Sequence, residues 1–242
     1  MTRPSPLGLL LVAPALALVA ALFLYPLGFS LAAAFTSGGS VTLAHFSKAF
    51  ELYSTDILFT IMIVVVSTAL IAVVAIAIAG ALTMSTTGWF RAILRQLYRW
   101  PLFIPFIVAG QCMRTFLAKN GLMNNSLVAM GVLDPSQTIS FLDWRGIVIT
   151  FVWKQVPFVT LLLAGAMASL DPATVEAARN LGASRRRTLV EIVLPQVSQT
   201  LLVALVLSFV TMLSVLSVPM MVAGSQPTML TVDMAFRINA YG

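Results

Sequence analysis

DPATVEAARNLGASRRRTLVEIVLP, residues 171–195, is a polar island between two long apolar runs. It reads as two short helices joined by a bend. Asp171 is a good N-cap, and Pro172 suits the first helical position, where a missing N–H costs nothing. The first helix carries Ala173, Val175, Ala177, Ala178 and Leu181, mostly small residues that let another surface come close to the backbone. Gly182 is a natural left-handed C-cap, and Ser184 can cap a second helix bearing Leu189, Ile192 and Val193. Pro195 is expected to close the island and let a new helix begin.

What lies outside the island is apolar. Of 242 residues, 60% are hydrophobic and 9% charged; a soluble domain carries about 25% charged residues, so this chain does not keep its surface in water. The apolar runs predict an all-α integral membrane protein with five transmembrane helices: 6–35, 57–84, 101–117, 146–170 and 196–223. Residues 1–56 form a first helix and a polar loop, and 57–242 a core containing the island. The first run is too long for the apolar part of a cleaved signal peptide. Pro14 and Pro26 within it require local backbone adjustment to satisfy the carbonyls they free. Residues 122–133 are expected to form a short helix, and 224–242 a polar exit.

Charge orients the spans. The net charge of +6 does not point to nucleic acid, because the basic residues sit in short loops beside apolar runs. Arg3, Arg91, Arg95, Arg99, Arg179, Arg185, Arg186 and Arg187 fall on one side, whereas Lys48, Lys119, Arg145 and Arg237 fall on intervening segments. By the positive-inside rule the first group is cytoplasmic, which places the island inside the cell. Residues 88–100, with Arg91, Arg95 and Arg99 four apart and Trp89, Tyr98 and Trp100 among them, read as an interfacial segment on that side. The lone cysteine, Cys112, leaves no disulfide framework or multi-cysteine metal site. His45, the sole histidine, reads as a surface residue.

Glu176-Ala177-Ala178, followed at fixed spacing by Gly182-Ala183 and then by Ile192, Leu194 and Pro195, resembles the EAA loop of membrane permease subunits of binding-protein-dependent ATP-binding cassette importers. The resemblance implies a multi-pass permease of the bacterial inner membrane whose loop forms a coupling helix on an ATPase subunit. Glu176 would make the polar contact, Ala177, Ala178 and Leu181 the packing contact, and Gly182 with Ala183 the bend. It also implies a second permease subunit in a heterodimer, two ATP-binding cassette ATPase chains and an extracytoplasmic substrate-binding protein. Permeases of this kind usually have a further span after the loop, so a sixth helix is expected in the complete chain.

The sequence lacks GxxxxGK[ST], GxGxxG, HExxH and GxSxG, so it offers no phosphate-cradling loop and no recognisable catalytic group. The chain is not expected to be an enzyme or to hold a cofactor, and ATP would be bound by the partner. Polar residues inside spans are costly and mark paths or bundle interiors. Gln111, Arg114, Trp153, Lys154, Gln155, Ser208, Thr211 and Ser214 are therefore the candidate translocation path, with Lys154 the most suggestive. The rival reading is an ion-coupled secondary transporter. None of the eight acidic residues lies deep in an expected span, which counts against proton coupling. The Leu181-Gly182-Ala183-Ser184 form of the loop resembles polyamine, iron and small-anion permeases more than sugar permeases, while leaving sugars open.

Overall fold

The computed structural model describes residues 6–85, 87–223 and 227–241. Among them four helices are long and apolar enough to cross a membrane: Leu11–Ala34, Ala44–Met84, Trp144–Ala168 and Arg185–Ser214. A bent pair, Gly88–Phe103 with Phe106–Ala129, turned by 109° at its break, makes a fifth candidate when taken as one broken span. The chain divides into two compact units, Met1–Ser54 and Thr55–Gly242.

The first unit holds α1 (Pro6–Val19) and α2 (Tyr25–Ala34), then a hairpin of β1 (Thr36–Ser37) and β2 (Ser40–Val41), then the start of α3 (Ala44–Met84). Gly38 and Gly39 turn the hairpin with φ of +59° and +84°. His45 Nε2 lies 3.2 Å from the Thr36 carbonyl oxygen, and the Phe35 and Phe46 rings stand 4.9 Å apart. The second span thus begins well before residue 57. No glycine or proline lies between Ala44 and Ala79, so nothing stops the helix at the membrane boundary.

The second unit packs the rest of α3, α7 (Trp144–Ala168), α10 (Leu194–Ser214) and α11 (Ser217–Val222) around one apolar cluster that includes Ile63, Ile71, Phe151, Val159, Ala204, Met212 and Val218. A smaller cluster of Ala79, Leu163, Met167, Val193 and Val197 lies at the island end. Lipid tails are as apolar as these side chains, so the clusters hold by close packing rather than by escape from water.

Prolines explain most departures from the expected spans. A proline lacks the N–H that would bond the carbonyl four residues back, and its ring crowds that carbonyl. At Pro26 and Pro195 the preceding turn widens to a π-turn, Ala20–Leu24 and Leu189–Val193, closed by Tyr25 N–H to the Ala20 oxygen and Leu194 N–H to the Leu189 oxygen. Pro195 therefore does not start a new helix; Arg185–Ser214 runs through it. Pro101 and Pro105 break the expected third span into a 3-10 turn, Trp100–Phe103, and α5 (Phe106–Leu117). The 12 residues of α5 rise only about 18 Å, short of a ~30 Å hydrocarbon core. Pro219 likewise ends the fifth span early: α10 stops at Ser214, and Val215, four residues before the proline, is extended. The Val215 carbonyl accepts from the Thr231 hydroxyl at 3.4 Å.

Thr231 belongs to α12 (Leu230–Tyr241), a helix where a polar exit was expected. Its start is fastened to α3. Thr228 N–H donates to Asp56 Oδ1 at 3.1 Å and Leu230 N–H to Thr60 Oγ1 at 2.9 Å. The short helix expected within 122–133 is α6 (Leu122–Ala129). Buried Asn124 on it donates to the Ala118, Lys119 and Ile139 carbonyls, tying the loop before α7 together.

Candidate functional site

The island folds as two capped pieces. Helix α8 (Pro172–Asn180) begins where the Asp171 carboxylate accepts from Ala173 N–H at 3.0 Å. It ends in a Schellman motif: Gly182 N–H donates to the Arg179 oxygen and Ala183 N–H to the Ala178 oxygen, both at 3.0 Å. Gly182 adopts φ +84° as its position in the sequence anticipates. Ser184 then caps α9 (Arg185–Thr188), accepting from Arg187 N–H at 3.3 Å.

Helix α8 has an inner and an outer side. Val175 packs on the smaller apolar cluster and Ala178 is buried, three residues apart on one face. Ala178, expected among the packing contacts to a partner, is therefore turned into its own chain. Glu176 and Ala177 are exposed, Ala183 is half-buried, and Leu181 is 89% exposed.

Between α8 and α4 (Gly88–Leu97) lies a cavity of about 640 Å³, lined also by the last turns of α3 and α7. Arg91, Arg95, Arg99, Arg179, Arg185 and Glu176 all reach it. Sequence reasoning placed the α4 arginines at the membrane interface and missed that they share a cavity with the island. Their four-residue spacing was the available signal.

The eight expected path residues are not brought to one surface. Gln111 and Arg114 on α5 and Thr211 and Ser214 on α10 are exposed, the two hydroxyls donating to carbonyls of their own helix at 2.8 and 3.0 Å. Trp153 is half-buried. Lys154, Gln155 and Ser208 are buried within the chain, and Ser208 Oγ has no hydrogen-bond partner among the described residues. The Lys154 ammonium donates to the Pro101 carbonyl at 2.7 Å and the Leu102 carbonyl at 3.3 Å, and lies 5.1 Å from the Phe106 ring centre. The Pro101 oxygen also accepts from Ile104 N–H at 3.3 Å, closing the 3-10 turn. Lys154 adds a second, shorter bond to that oxygen, which makes it an anchor between α7 and the turn before α5.

Comparison with known proteins agrees with this architecture. A chain of the bacterial alginate ATP-binding cassette transporter, crystallised with an alginate pentasaccharide-bound periplasmic protein, superposes with a TM-score of 0.77 at 24% identity, over 96% of this chain and 83% of that one. The spermidine/putrescine transport system permease protein PotB of Escherichia coli K12 is 32% identical over 45% of this chain and 42% of its own length. The sulfate transport system permease protein CysT of Salmonella typhimurium LT2 is 27% identical over 56% of this chain and 47% of its own. The chain thus spans less than half the length of these two relatives. Residues 71–241, which include the whole island, match the family described as binding-protein-dependent transport system inner membrane component, and the chain belongs to that family.

Proposed function

We propose that this chain is a permease subunit of an ATP-driven importer in a bacterial inner membrane. The observation that carries the proposal is α8: a helix capped at both ends that seats Val175 and Ala178 on the spans and presents Glu176, Ala177 and Leu181 outward. That division suits a lever, one face fixed to the membrane domain and the other offered to a motor. ATP would be bound and hydrolysed by separate ATPase chains, with a second permease subunit completing the path and an extracytoplasmic protein delivering the solute. Within this chain Gln111, Arg114, Thr211 and Ser214 are the path candidates, because their exposure leaves them available to a partner or to water. The names of the relatives, one for spermidine and putrescine and one for sulfate, support a small charged solute.

The test is co-purification. Glu176→Lys reverses the charge at an exposed position that also borders the α4–α8 cavity, leaving Val175 and Ala178 in place, so the variant should insert normally and lose its ATPase subunits or their substrate-stimulated hydrolysis. Normal assembly and uptake would remove the coupling role. A cysteine placed by Ser184→Cys should resist impermeant thiol reagents outside intact cells while one from Ser136→Cys reacts; the opposite pattern would invert the orientation.

A further inference from the structure

We propose that the cavity between α4 and α8 binds the phosphate headgroup of an acidic phospholipid drawn from the inner leaflet. The inference rests on the orientation proposed above and goes beyond it. Five arginines and one glutamate line the cavity. Among the described residues Arg91, Arg95 and Arg179 form no ion pair within 4.0 Å, and neither does Glu176. Guanidinium groups that line one cavity with a single carboxylate leave it cationic, and a phosphate can accept paired N–H bonds from them. A cavity of about 640 Å³ has room for a headgroup with its glycerol.

Helix α4 says where the phosphate comes from. Phe90, Ile93 and Leu97 are 41–57% exposed, and a two-residue step puts Ile93 and Leu97 roughly 200° around the helix from Arg91 and Arg95. The helix thus carries an apolar face fit for the acyl boundary and, opposite it, the arginines of the cavity. Basic pockets of this kind beside membrane helices on the cytoplasmic side suit anionic headgroups. A soluble phosphate would satisfy the same guanidinium groups but would gain nothing from the apolar face.

The full chain, with the subunits that co-purify, can be titrated with phosphatidylglycerol and with phosphatidylcholine and the bound lipid counted by native mass spectrometry. Phosphatidylglycerol should bind in preference. Arg91→Gln with Arg95→Gln should weaken its retention about 30-fold, two surface charges' worth, whereas Arg91→Lys with Arg95→Lys, which keeps the charge but not the paired N–H bonds, should lose less, and Lys48→Gln should lose none. The single exposed change Arg179→Gln, expected to weaken retention about fivefold, provides a second reading if the double variant inserts poorly. Equal binding of the two lipids, or undiminished retention by the Gln variants, would overturn the proposal. Displacement by millimolar inorganic phosphate would overturn the lipid source in favour of a soluble anion, and displacement by added ATPase subunit would show a protein contact instead. Scoring ATPase co-purification in the same preparation separates failure of this inference from failure of the importer reading.

Discussion

Gly182 is the point at which a small change should uncouple the island without disturbing the spans. Its φ is +84°, and a Cβ built there would meet nothing within 4 Å. Sterically the site is open, so the whole cost of a side chain is the backbone conformation. That cost is about 1 kcal/mol for alanine and roughly 2 for valine, whose branched Cβ crowds its own carbonyl; asparagine, which tolerates the left-handed region, should cost least. Helix α8 has nine residues, and isolated helices below about 12–15 residues are marginal, so it depends on its caps. Losing about 2 kcal/mol at the C-cap lowers the population of the capped helix roughly 30-fold relative to its frayed forms. The apolar length of the spans is unchanged. Gly182→Val should therefore insert at wild-type levels but fail to retain an ATPase subunit on affinity purification, or retain it without substrate-stimulated hydrolysis. The order of severity should be Asn, then Ala, then Val. If asparagine proves as damaging as valine, side-chain bulk rather than backbone conformation governs the site. If all three couple normally, α8 is not a lever.

Lys154→Met should leave the Pro101 and Leu102 carbonyls without their ammonium, at a cost of about 2 kcal/mol, and lower Tm by roughly 4–8 °C; an unshifted Tm would show that Lys154 is not the anchor described. At Gly80 a Cβ would lie 2.7 Å from Leu189 Cδ2, the mobile end of a side chain in the π-turn of the island. Gly80→Ala should be mild, Gly80→Val should cost about 1–3 kcal/mol, and Leu189→Ala should recover part of that loss; absence of recovery would refute the contact. Asp143 caps α7 and pairs with Arg145 at 2.7 Å, and the hydrogen bond from that arginine holds its carboxyl below the usual range. A depressed carboxylate stabilises above its unfolded pKa and loses that contribution as pH falls through the folded one. Asp143→Ala should thus lower Tm near neutral pH, with a difference from wild type that shrinks below about pH 4; a difference constant with pH would refute the pairing.

What the sequence determined by itself was whatever depends on local chemistry and on transfer between water and lipid. The apolar runs declare helices because only helices satisfy their own backbone in hydrocarbon. Asp171, Gly182 and Ser184 announce their caps because capping involves atoms within a few residues of one another. Tertiary structure decided what distant segments settle together. Pro219 signals a vacant carbonyl, but only the fold shows that Thr231 reaches Val215, 16 residues away, and that Lys154 reaches Pro101, 53 residues away. Fold alone turned Ala178 inward and left Leu181 open, since the direction of a helix face is set by what it packs against. It also split the eight polar path candidates into an exposed four and a mainly interior four. A polar residue's presence in a span is written in the sequence, whereas its partner is chosen by the packing of helices far apart along the chain.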